Sequence, residues 1–316
     1  MTTPDPSAPA GPERAADADR TTADADRTTT DADRTTTAAD GVPADHELAR
    51  LDDAGFDIRA FTRSAQGTMR GQLDLDAYAQ APLRDDELRL VRHLGRLEGA
   101  TMEHLRNLLV TATHKDARVT AFLVTWAYEK FWIADSLDAV LEAHGRPRLR
   151  DDEEAAPRRA VTERAERRGP IRRAILAAGL GAPIVAVHTT SGLVDEWVVS
   201  AAYDRLAERT DSTALRAHVD LLRAVKRRHE AFFADETDRR LRESSRAVKQ
   251  TRDHLAHAVW PIGSVDRAAD ERDFFDATVW GDDEGRRRAA HVGERVAALP
   301  GLGDADGRAT TRGLLR

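Results

Sequence analysis

Trp126-Ala-Tyr-Glu-Lys-Phe-Trp-Ile-Ala-Asp-Ser-Leu137 sets a charge inside an apolar pattern. Lys130 lies four residues after Trp126, three before Ile133 and seven before Leu137, and those spacings fall on one face of a helix. Three other segments repeat the anomaly. Glu98 sits in the ladder Leu94, Leu97, Thr101, Leu105. Glu196 lies three residues after Leu193 and seven before Tyr203. Lys226 and His229 continue the stripe Leu215, Val219, Leu222 and precede Phe232 and Phe233. A buried charge without a partner costs several kcal/mol in order of magnitude. Two carboxylates and two ammonium groups converging in one core would offset one another, so a shared buried polar site is expected.

Working outward, the periodicity predicts long helices over about 85–111, 116–144, 183–209 and 211–244. The first carries the stripe Leu90, Leu94, Leu97, Thr101, Leu105, Leu108. The second carries Leu123, Trp126, Ile133, Leu137 and Leu141, and ends at Gly145 with Pro147 beyond. An N-cap at Asp211 or Ser212 opens the fourth. Shorter helices are expected near 46–54, within 150–170, and over 246–258, 266–279 and 283–298, with a break at Trp260-Pro261. Pairs one-two and three-four, separated by a long link, describe an all-α bundle with a crossover plus extra C-terminal helices. The helical domain is expected over 45–300.

Residues 1–44 repeat Asp-Ala-Asp-Arg at 17–20, 24–27 and 31–34 amid threonines. The period is seven, but only Ala recurs among apolar residues, so there is no seam to bury and a disordered tail is expected. Residues 301–316 are expected to be a flexible C-terminal tail. The 316 residues contain no cysteine, which excludes disulfides, thiolate metal sites and cysteine nucleophiles. The polar N-terminus has no signal-peptide pattern, so a cytoplasmic location is expected. The apolar run Ala174–Val187 is interrupted by Gly179, Gly181 and Pro183 and is shorter than the ~20 residues of a membrane span; it reads as a buried hinge. The formal charge of −7 argues against nucleic acid as a partner, and the Arg-rich stretch 158–173, diluted by Glu163 and Glu166, reads as a solvated helix face. Neither a Gly-x-Ser-x-Gly elbow nor a phosphate-binding Gly-x-x-x-x-Gly-Lys loop occurs. His254 and His257, and likewise Glu103-His104 and His114, read as helix-surface residues.

Four segments together resemble the ferritin-like carboxylate proteins, most closely the acyl-carrier-protein desaturase and diiron oxygenase branch. They are Arg96-Leu-Glu-Gly-Ala-Thr, the Trp126–Leu137 stretch, Thr189-Thr-Ser-Gly-Leu-Val-Asp-Glu-Trp and Lys226-Arg-Arg-His-Glu-Ala-Phe-Phe. The resemblance covers about residues 85–260. Such proteins take a Glu from each of two helices and Glu-x-x-His from each of the other two. The resemblance implies ligand positions at Glu98, Glu196 and His229. This chain departs from the pattern at Lys226-x-x-His229, where Lys replaces a ligand Glu, and at Lys130-x-x-Ile133, where both Glu and His are lost. A one-residue shift of register gives Glu129-x-x-Trp132, which restores only the carboxylate.

A protonated lysine has no lone pair to offer a metal. One expectation is therefore a metal-free or metal-poor core in which Lys130 and Lys226 pair with Glu98 and Glu196, in either order, and His229 is a hydrogen-bonding neighbour. Such a protein would be a binding or scaffold protein. The alternative is an iron- or manganese-dependent oxidoreductase or oxygenase using Glu98, Glu129, Glu196 and His229, with Glu230 or Glu236 assisting. Trp126, Tyr128, Trp132, Trp197 and Tyr203 would then carry electrons or line a substrate channel. A third reading is a helical interaction module unrelated to redox chemistry. By analogy a homodimer is a further expectation, and a small apolar substrate would need a long apolar pocket beside the polar cluster.

Overall fold

The computed structural model describes residues 55–149 and 181–316; the expected tail at 1–44, the lead-in helix at 46–54, the linker helix within 150–170 and the arginine-rich face lie outside them. The described residues are helical, with no strand among them. In chain order the helices are α1 (Ile58–Arg63), α2 (Ala77–Gln80), α3 (Asp85–Gly99), α4 (Thr101–Leu109), α5 (Ala117–Ala143), α6 (Ile184–Arg209), α7 (Thr213–Glu243), α8 (Ser245–Leu255), α9 (Ala269–Trp280), α10 (Asp283–Ala297) and α11 (Asp304–Leu314).

Local chemistry sets several of these ends. Asp116 accepts a hydrogen bond from the Val119 N–H at 3.0 Å and caps α5, which ends before Gly145 at φ +64°. Ser212 caps α7 through the Leu215 N–H at 3.2 Å. Ser244, extended at φ −146°, interrupts the chain between α7 and α8 and caps the latter. The helix expected over 85–111 is divided: α3 ends at Gly99, Ala100 bridges, and α4 follows. The apolar stripe runs across this break, and Leu90, Leu94, Leu97, Thr101, Leu105 and Leu108 are all buried.

The long helices pair as α3 with α5 and α6 with α7, and α3–α6 and α5–α7 contacts join the pairs. The three residues 210–212 between α6 and α7 make them antiparallel neighbours. Helix α6 is covered on nearly every side, also by α8, α9 and α10, and every residue from Ile184 to Val199 except His188 is buried. No helix among the described residues is long and apolar enough to cross a membrane.

The C-terminal stretch corrects an expectation. Residues 301–316 carry helix α11, packed along α10, with Thr310 and Leu314 buried. The helices cross where Gly293 faces Gly307: a Cβ on Gly293 would lie 2.7 Å from the Gly307 carbonyl oxygen, and one on Gly307 2.4 Å from that of Gly293. The absence of a side chain at Gly293 and Gly307 is the condition for this backbone-to-backbone packing.

Candidate functional site

The four interrupted stripes meet. Glu98 comes from α3, Lys130 from α5, Glu196 from α6 and Lys226 with His229 from α7, and all five are at most 3% exposed. The lysines do not form two separate pairs. Lys226 Nζ lies 2.6 Å from Glu196 Oε2 and donates to Glu98 Oε1 at 3.2 Å. Lys130 Nζ pairs with Glu98 Oε2 and lies 3.6 Å from Glu196 Oε1. Positive and negative groups thus alternate around a closed ring, with formal charges that cancel.

Aromatic donors complete the ring. The Trp126 indole N–H donates to Glu196 Oε1 at 2.9 Å, and the Tyr203 hydroxyl donates to Glu98 Oε1 at 3.1 Å. Lys130 stands 5.4 Å from the Trp126 ring centre and Lys226 5.7 Å from that of Tyr203. Burial pushes Glu98 upward, but Lys130 and Lys226 outweigh it and hold the carboxyl below the ordinary value. Glu196 is held well below, by the same lysines against the same burial, with help from His229. Burial lowers Lys130, whereas Glu196, Glu98 and Asp195 raise it to a net value above that of a free lysine. Glu98, Glu196 and Lys130 are therefore ionised throughout the neutral range. Gly192, one turn before Glu196, permits the close approach of α7: a Cβ there would meet the Phe233 ring at 2.6 Å.

Both registers of the second segment point inward, since Glu129 and Lys130 are each buried. Residues 55–69 cover this side of α5, and the Gln66 N–H donates to Glu129 Oε1 at 2.7 Å. Arg228 pairs with that oxygen, and His229 donates from Nε2 to Glu129 Oε2 at 2.7 Å, placing Nδ1 3.7 Å from Glu196. Glu230 and Glu236 turn elsewhere. Glu230 pairs with Arg295, while Glu236 accepts from Arg118 at 2.7 Å, Arg239 at 2.7 Å and Arg240 at 2.9 Å. Tyr128 is exposed.

The donor set does not fit a metal between Glu98 and Glu196. Each of their four carboxylate oxygens faces an ammonium group of Lys130 or Lys226, and seating a dication there would require expelling both. Among the described residues no three Asp, Glu or His side chains are grouped so as to hold a metal.

Beside the ring lies a cavity of about 110 Å³, walled by Leu97, Trp126, Lys130, Val199, Phe233 and the 262–263 loop, and also by His104, His188 and Asp195. The last two were not foreseen. The signal was present: between Ile184 and Val199 only His188, Asp195 and Glu196 are ionisable, a composition that leaves α6 no solvent face. His104, expected on an open surface, lines this cavity. The walls mix polar and apolar groups, unlike a long apolar channel.

Comparison of the chain with protein-family models, with curated proteins and with solved structures gives no significant match.

Proposed function

We propose that the chain is a ferritin-like four-helix bundle in which Lys130 and Lys226 stand where metal-ligand glutamates would be, and that it works as a metal-free or metal-poor binding or scaffold protein. The observation that carries this reading is the ring itself: two lysines shared between the same two glutamates, one residue from each of four long helices. The pairing of α3 with α5 and of α6 with α7 supports the bundle. Mass-spectrometric metal analysis of full-length protein expressed with added iron and manganese tests it. Expected is far less than one metal per chain, with metal gained when both lysines become glutamate. About two metals per chain would overturn it. One metal lost with Glu196→Ala or His229→Ala would favour the mononuclear oxidoreductase using Glu98, Glu129, Glu196 and His229; the His229–Glu129 bond is the contact that favours this second reading.

A homodimer belongs to the same proposal. Val124, Tyr128 and Phe131 are each about half exposed at helical spacing on one face of α5. Light scattering should give a dimer mass for the chain and a monomer mass for Phe131→Glu.

A further inference from the structure

Asp195 is the carboxyl that the interior leaves unmatched. Glu98 and Glu196 are balanced by Lys130 and Lys226, and Glu129 by Arg228. Asp195 is 8% exposed, and among the described residues it forms no ion pair; its one hydrogen bond comes from the Ile262 N–H to Oδ1 at 2.6 Å. The side chain lies on the cavity wall with Oδ2 uncommitted. Summed over the seven groups just named, the interior carries one negative charge too many.

A neutral histidine shares the cavity wall with it. The Thr111 hydroxyl donates to the Leu108 carbonyl at 2.7 Å. Thr111 Oγ1 also lies 3.1 Å from Thr113 Oγ1, which it faces as a donor. Thr113 Oγ1 lies 2.8 Å from His188 Nδ1, so one ring nitrogen of His188 is engaged away from the cavity. Burial, with His104 and His254 nearby, holds His188 down to about 3, so the ring is neutral. Burial, with Lys130 and His254 nearby, holds His104 down to about 4. Lys130, the one cation on the wall, is spent on Glu98 and Glu196. Asp195 Oδ2 is thus an uncommitted acceptor on a wall that also carries the aromatic residues Trp126 and Phe233.

We propose that this cavity binds a small primary ammonium ion, a protonated amine of roughly four to six non-hydrogen atoms, with an N–H group donated to Asp195 Oδ2 beside the Trp126 and Phe233 rings. The ligand supplies the positive charge that the interior lacks. The proposal rests on the chain being a binding protein but not on lysines having replaced a metal. Metal analysis can fail while amine binding holds, and the reverse.

The test is isothermal titration of the full-length chain with n-propylammonium, n-butylammonium, potassium and acetate at matched ionic strength, at about pH 8, well above the ordinary carboxylate range. Saturable binding of an alkylammonium is expected, weakened about tenfold or more in Asp195→Asn. Asparagine keeps a carbonyl oxygen for the Ile262 N–H, so an unchanged circular dichroism spectrum, with the variant at least as stable at this pH, would assign the loss to charge. Tighter binding of acetate, binding of potassium equal to that of the amines, equal amine affinity in Asp195→Asn, or no binding at millimolar amine would each overturn the proposal.

Discussion

Asp195 and Glu196 are consecutive residues of α6, both buried, and they meet opposite electrostatic surroundings. About 100° of helical rotation separates them. Glu196 turns into the ring, where two lysines, an indole and an imidazole surround it, and its carboxyl sits well below the ordinary value. Asp195 turns toward the cavity, meets a single backbone N–H, and is raised to about 7. Equal burial therefore does not give equal ionisation: the partner set decides the sign. The ring is a closed structural unit that gains nothing from an added ion, whereas the Asp195 wall is an open one that does.

The largest expected effect comes from breaking the closed unit. Lys226→Met leaves Glu196 without its 2.6 Å contact and removes a donor from Glu98, so urea denaturation should show a loss of about 3–5 kcal/mol. The double variant Lys226→Met with Glu196→Gln removes one charge of each sign and leaves Lys130 paired with Glu98. It should cost clearly less than the sum of the singles. Additive losses would show that the four groups do not act as one network.

A smaller effect, with a distinctive pH signature, is expected at Asp195. Below about pH 3.8 the carboxyl is protonated in both folded and unfolded chains. Between there and about 7 the folded chain keeps the proton that the unfolded chain releases, so this group makes stability fall as pH rises, and the loss levels off above about 7. The groups that act on it are Lys130, Glu196 and Lys226, with His104 and His188 on the same cavity. The wild-type chain minus Asp195→Asn difference in unfolding free energy should therefore decline across that window by at most about 4 kcal/mol. Asp195→Asn should become the more stable protein on the alkaline side. A flat difference would mean that the carboxyl is not isolated.

The contrast between these neighbours also shows what could be read in the sequence. Glu98, Lys130, Lys226 and His229 were legible because each interrupts an apolar stripe, and spacing then fixes the face, whereas Glu196 rested on its spacing from Leu193 and Tyr203 alone. Glu129 was ambiguous beside Lys130 because a stripe argument allows one inward face, while α5 is covered on a wider arc by residues 55–69. Asp195 and His188 lie on a helix with no polar face, so periodicity carries no direction there and only the scarcity of charge reveals their burial. The break at Gly99–Ala100 was invisible because the apolar ladder runs straight through it. Helix α11 was missed because its glycines permit a close crossing that only the partner helix reveals. Helix positions thus follow from local pattern, whereas which charges find partners depends on how four separate segments converge.

The smallest effect marks the other limit of the comparison. Arg242 and Asp238 form a two-point pair on α7, at 2.7 and 2.9 Å, shorter on average than the contacts of Lys226. Their side chains are 69% and 48% exposed, so water and salt screen the attraction, and the free side chains lose little by separating. Arg242→Ala should leave the thermal midpoint within error of the unaltered chain, at low and at high salt. A destabilisation comparable to that of Lys226→Met would mean that contact geometry, rather than removal from water, governs what an ion pair contributes in this fold.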